Sequence, residues 1–185
     1  MRTMRPPRKD SVRSRQAIIA AAEDIFLKNG DANFAEISLL AGVSHATVYR
    51  HFGDRSELLA ALMSGALDRL EAEVESWEAS PQNFEDLLRL MAIEQAKYQG
   101  VTALVRRKEV DESAVEKLRT RTSELFREPL DQARAAGSIR EAFDITGVIG
   151  ILSMIDGAIA PHPTRSEREE AGRLAVDIVL KGISG

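Results

Sequence analysis

Between Asn33 and Phe52 the chain reads NFAEISLLAGVSHATVYRHF, and few folds accommodate that order of residues. Ile37, Leu40 and Ala41 share one face of a short helix, and Gly42 then supplies a residue that tolerates positive φ in a tight turn. Ser44 suits the cap of a second helix, because its hydroxyl can accept the amide hydrogen of Ala46 or Thr47. Val48 and Phe52 continue the inward face at a spacing of four, which leaves His45, Ala46, Thr47, Tyr49, Arg50 and His51 facing outward. Two short helices hinged at a glycine make a helix-turn-helix. The second helix of such a unit meets the major groove through its first residues, while nearby hydroxyls, amides and cations hold phosphates. The outward set fits: small or hydrogen-bonding at its start, aromatic or cationic toward its end.

The spaced identities Ala41-Gly42-Val43-Ser44, Thr47-Val48-Tyr49, His51-Phe52, Asp54-Arg55 and Glu57-Leu58-Leu59 resemble the tetracycline-repressor (TetR) family of bacterial transcriptional regulators. Ile18 to Gly30, IIAAAEDIFLKNG, is similar to that family's first helix and the glycine after it. The resemblance covers roughly the first third of the chain. It implies a three-helix DNA-binding head followed by a helical body for ligand binding and dimerisation. It also implies double-stranded DNA, a second copy of the chain and a small-molecule effector, largely apolar, as partners. Carried over by position, Ser44, Thr47, Tyr49 and His51 fall on phosphates and His45 and Ala46 near base edges. Arg55 stands where the family usually has a lysine opening its fourth helix. Three residues depart from the pattern: Asn33 replaces a threonine cap, Ala46 a glycine, and Phe34 a smaller aliphatic. Asn33 can still cap. The candidate DNA-binding residues are therefore Asn33, Ser44, His45, Ala46, Thr47, Tyr49, Arg50, His51 and Arg55.

Charge is divided along the chain in the same sense. The net charge of −4 disfavours nucleic acid, yet residues 1–55 carry 9 Lys+Arg against 6 Asp+Glu, and the remainder carries 16 against 23. A basic head on an acidic body draws the correct end to a polyanion. The absence of cysteine excludes disulfides and thiolate metal sites, and His45, His51 and His162 have no zinc-like spacing, so neither a metal nor a cofactor is expected. The first apolar run, Ala17 to Ala22, meets Glu23 and Asp24 at once, and Ile145 to Ile155 is too short to span a bilayer. A cytoplasmic protein with no membrane partner is the expectation.

Periodicity predicts about nine helices and no strand, an all-α fold. A basic arm occupies 1–10, the head 11–55 and the body 56–185. The arm either lies along DNA or is a solvated tail. Helices are expected near 11–28, across the two halves of 33–52, from Asp54 to about Glu78, from Ser80-Pro81 to Gly100, and over Val101 to Val110. Three more should follow at 112–136, with Pro129 bending it, at 144–160, and at 166–182.

In the body, Met63, Leu67, Trp77, Phe84, Leu88, Met91, Tyr98, Leu104 and Phe126 are candidates to line a ligand cavity, although each also suits a plain core. Arg106-Arg107-Lys108 reads either as a clamp on an acidic effector or as a solvated turn. The last two helices offer a self-complementary face: Gly147, Gly150, Leu152 and Gly157 on one, and Ala171, Leu174, Ala175, Ile178 and Val179 on the other. Asp156 among those apolar residues belongs at an exposed edge or in a pair across the dimer. Glu71, Glu73 and Glu75 read as a wet helix face rather than catalytic carboxylates, and no nucleophile or phosphate loop points to an enzyme. The functional expectation is a homodimeric repressor released from a palindromic operator by an effector. The alternative is an architectural DNA-binding protein with a solid body.

Overall fold

The computed structural model describes residues 9–29 and 31–184, the side chains of Lys9 and Asn29 excepted. The arm through Arg8 and Gly30, the glycine expected to follow the first helix, lie outside the described residues. Those described form nine helices and no strand: α1 (Lys9–Asn29), α2 (Phe34–Leu40), α3 (His45–His51), α4 (Arg55–Val74), α5 (Asn83–Lys97), α6 (Gln99–Arg106), α7 (Glu112–Ala135), α8 (Ile145–Ile159) and α9 (Arg165–Ile183). The fold is all-α.

Short polar side chains set most of the starts. Asn33, Ser44, Asp54, Asp111, Asp144 and Thr164 each accept a backbone N–H of the first turn of the helix that follows. Each such cap is worth about 1 kcal/mol. α1 begins at Lys9, ahead of the expected start near residue 11, with Asp10 inside its first turn. α4 stops at Val74, short of Glu78, because Ser76 Oγ donates back to the Glu73 carbonyl (2.6 Å) and Trp77 N–H to that of Val74 (3.0 Å). Only Tyr98 separates α5 from α6, so α6 begins earlier than Val101. α7 runs through Pro129 to Ala135.

Two apolar cores result. The stripe Ile18, Ala22, Ile25 and Phe26 of α1 packs with Ile37, Val48 and Phe52 of the helix-turn-helix and with Leu58, Leu59 and Leu62 of α4. Tyr98, Val101 and Leu104 close the same core from below, so the head shares its interior with α4 and α6. Leu40, expected on the inward face of α2, is 53% exposed, because Ile37 is the one residue of that two-turn helix that is fully buried and Phe34 fills the rest of its inward side. The second core joins α5, α7, α8 and α9 through Leu87, Leu88, Phe126, Leu130, Val148, Leu152, Ile155 and Val176. Burying each large side chain of this kind contributes about 1.5–3 kcal/mol. No helix among the described residues is long and apolar enough to cross a membrane.

Candidate functional site

The head is built from tightly specified local contacts. Asn33 Oδ1 accepts the amides of Ala35 (3.0 Å) and Glu36 (2.9 Å), and Glu36 Oε2 accepts the Asn33 amide (3.2 Å), a reciprocal capping box. Gly42 has φ +65°, a conformation that L side chains rarely adopt, and turns the chain between α2 and α3. Ser44 Oγ then accepts the Thr47 amide at 3.2 Å and lies 2.9 Å from the Thr47 hydroxyl. Val48 and Phe52 are fully buried, which fixes the rotation of α3 and turns Ser44, His45, Ala46, Tyr49 and Arg50 to the surface.

Tyr49 is held rather than loose. Its ring meets Phe34 and His45 edge-on, each with centroids 5.0 Å apart, and the residue as a whole is 53% exposed. The bulk of Phe34, unusual for its position in the resemblance, thus braces a candidate phosphate contact. Two other candidates are less free. Arg55 pairs with Asp31 and lies over the Phe26 ring (5.9 Å), so it ties the start of α4 to the turn before α2. His51 is half-buried, and its Nε2 has no partner among the described residues. Burial first, then the Arg50 and Arg15 charges, holds its pKa below the ordinary histidine value. Arg15, stacked over the Phe52 ring at 4.8 Å, brings a cation of α1 beside the end of α3. Its spacing from α3 in sequence hid it.

In the body, a cavity of about 110 Å³ lies between α4, α5, α6 and α7. Of the residues expected to line it, Met63, Leu67, Met91 and Tyr98 do, together with Ala66, Leu70, Glu94, Gln95, Thr102, Leu118 and Thr122. Phe84, Leu88 and Phe126 lie in the closed core of the body, Phe84 against Phe126 and Phe143 with centroids 6.0 and 6.3 Å apart. Leu104 belongs to the core beneath the head, and Trp77, displaced into the turn after α4, borders a separate recess with Pro129 and Gln132. A larger groove of about 540 Å³ between α5 and α9 is charged, and its arginines are engaged: Arg89 with Glu85 and Asp177, Arg173 with Glu170.

Polar links surround the cavity. The Tyr98 hydroxyl donates to Glu23 of α1, which also pairs with Arg69 of α4 (2.9 Å). Glu71, read as a wet-face carboxylate, instead receives both ends of the Arg121 guanidinium from α7 (3.0 and 2.6 Å), because α7 crosses that face of α4. Asp156 takes neither course expected of it: Arg106, at the end of α6, pairs with it inside one chain. That pairing also removes Arg106 from a free basic clamp.

The outer faces of α8 and α9 carry exposed apolar side chains, Met154 (66%), Leu174 (55%) and Ile178 (62%). Gly150 and Gly157 lie exposed among them, with open space where a Cβ would stand, and Ala171, Ala175 and Val179 are half-buried along the flank. Two other candidates for that face are internal. Leu152 aligns with Val148, Ile155 and Ile159 on the inward stripe of α8, and Gly147 accommodates the Phe143 ring, 2.5 Å from where its Cβ would be.

Residues 18–62, which span the helix-turn-helix, match the family model described as bacterial regulatory proteins, tetR family. The HTH-type transcriptional regulator TtgR of Pseudomonas putida is 39% identical over 62 residues, 32% of this chain and 30% of TtgR. The HTH-type transcriptional repressor BepR of Brucella suis is 32% identical over 65 residues, 34% of this chain and 31% of BepR. The chain thus matches less than a third of the length of these curated relatives. A crystal structure of a TetR transcription regulatory protein from Mycobacterium vanbaalenii shares the fold with a TM-score of 0.66 at 23% identity, over 97% of this chain and 100% of that one. The head over residues 18–62 is thus similar to that of the tetR family of bacterial regulatory proteins, and the whole chain shares its fold with a solved TetR regulator.

Proposed function

We propose that the protein is a homodimeric transcriptional repressor that sets two α3 helices into successive major grooves of a palindromic operator and leaves it when a small effector enters the body cavity. The observation that carries this reading is α3 itself. Its inward face is locked by Val48 and Phe52, and His45, Tyr49 and Arg50 are offered outward on the basic end of the chain. BepR is named a transcriptional repressor, which supports the sign of the regulation. The exposed apolar faces of α8 and α9 support pairing through those helices. Reading both half-sites requires the two α3 helices to stand about 34–36 Å apart, one turn of duplex.

The cavity supports release by a ligand over an architectural role with a solid body. Tyr98 lines it and also bonds to Glu23 of α1, so a change at the cavity wall is felt by the helix that backs the head. Swinging the population from 99:1 to 1:99 demands that the effector discriminate between the two forms by about 5.5 kcal/mol. A ligand that binds both equally releases nothing.

Selection of fragments of the source genome by the purified protein tests the reading. Recurrent recovery of one palindrome, with binding that weakens steeply as salt rises, is expected. Uniform recovery without a shared sequence would favour the architectural reading, and failure to bind any duplex would overturn both.

A further inference from the structure

Every donor group on the wall of the body cavity already makes a hydrogen bond, Gln95 with one of its two amide hydrogens. Gln95 Nε2 donates to the Leu152 carbonyl (3.0 Å), the Tyr98 hydroxyl to Glu23, the Thr102 hydroxyl to Gln99 Oε1 (2.7 Å), and the Thr122 hydroxyl to the Leu118 carbonyl (2.9 Å). Two acceptors are left over. Glu94 Oε2 and Gln95 Oε1 are both buried, and neither has a partner among the described residues. The orientation of Gln95 is fixed by chemistry: a carbonyl needs an N–H, so the amide nitrogen must face Leu152 and the oxygen must face away. Lys97 Nζ lies 3.7 Å from the other Glu94 oxygen, too long for a hydrogen bond, and leaves Oε2 bare. Buried acceptors without donors are costly, and a charged one most of all.

We propose that this cavity binds a compact apolar amine in its protonated form. The ammonium N–H groups donate to Glu94 Oε2 and Gln95 Oε1, and the hydrocarbon lies against Met63, Leu67 and Met91. The proposal rests on the reading of the cavity as the effector site and names the chemistry that site selects. A carboxylate or phosphate finds at most the second Gln95 amide hydrogen there and meets the like charge of Glu94. An alcohol has one proton to offer to two acceptors, whereas an ammonium satisfies both. The room beside these side chains, about 110 Å³, accommodates a small ring or short branched chain. Met63 and Met91, unbranched and adaptable, give room at the margin.

Isothermal calorimetry on the full chain with cyclopentylamine, cyclopentanol and cyclopentanecarboxylate tests the proposal on near-isosteric probes. The amine is expected to bind saturably and at least about tenfold tighter than the alcohol, and the carboxylate to give no binding. Glu94→Gln should weaken the amine about tenfold and leave the alcohol unchanged, with folding checked by thermal melting. Should that variant not fold, the order of the three probes on the parent protein decides. Alcohol or carboxylate binding as tightly as the amine, or none of the three binding, would overturn the proposal. DNA is absent from this titration, so an amine that binds but fails to release a protein–DNA complex would sustain the amine site and contradict release by the effector.

Discussion

The Tyr98 hydroxyl donates to the Glu23 carboxylate, so a wall residue of the body cavity is hydrogen-bonded to the helix behind the reading head. Arg69 of α4 pairs with the same carboxylate, and three helices meet at one point. Burial first, then Glu23, pushes the Tyr98 pKa well above the ordinary tyrosine value, so the phenol stays protonated and donates across the physiological range. Tyr98→Phe keeps the ring and removes the donor, while Arg69 still holds Glu23. Stability should fall by about 1 kcal/mol, read by chemical denaturation. Ligand-free DNA affinity should stay within about twofold, and the drop in affinity caused by an effector should shrink by about fivefold or more. An unchanged effector response in the variant would contradict the coupling.

Tyr49→Phe retains the edge contacts to Phe34 and His45 and deletes only the hydroxyl. Anisotropy titrations should show operator and non-operator DNA weakened by a similar factor, about fivefold, the worth of one hydrogen bond. A loss confined to the operator would assign Tyr49 to a base rather than a phosphate.

Two glycines of α8 separate packing within one chain from packing between two. Gly147→Ala drives a methyl into the Phe143 ring and should cost about 1–3 kcal/mol in a thermal or denaturant melt. Gly150→Ala meets nothing within 4 Å, so it should leave the subunit's own fold intact and weaken association of two subunits. Ile178→Asp, at a position 62% exposed, should dissociate the dimer outright by light scattering while costing the isolated subunit about 0.5 kcal/mol or less. A dimer indifferent to both substitutions would place the interface elsewhere.

His51 gives the head a pH dependence whose sign is fixed. Its folded pKa lies below the unfolded value of 6.5, so protonation favours the unfolded chain. The contribution of neutral His51 to stability is full above pH 6.5 and is lost as the pH falls through that value toward the lower folded pKa. Denaturation midpoints between pH 7.5 and 5.5 should therefore decline more steeply in the parent than in His51→Gln. Parallel curves would contradict it.

The head was largely legible because its signals are local. Asn33 with Glu36, Gly42, and Ser44 with Thr47 sit within a few residues of one another, and short-range geometry dictates their conformation. Leu40 was misjudged because seven residues of α2 give too few turns to define a face. The body was harder. Phe84, Leu88 and Phe126 have the same apolar character as Met63, Leu67 and Met91, and only the crossing of α4, α5 and α7 decides which set closes and which leaves a gap. Glu94, Gln95, Thr102 and Thr122 reach the cavity through tertiary packing alone. The pairs Glu23–Tyr98, Glu71–Arg121 and Arg106–Asp156 join residues at least fifty positions apart, and no periodicity announces them.

Whether two α3 helices read one palindrome is tested most directly by anisotropy titration of the purified protein, across a range of salt, against a genome-selected duplex and a scrambled duplex of equal length. Two subunits should bind each selected duplex. Affinity for both duplexes should fall steeply with salt, and the selected duplex should bind about a thousandfold tighter or more. A strictly monomeric protein, or one with no salt-sensitive attachment to either duplex, would contradict the account.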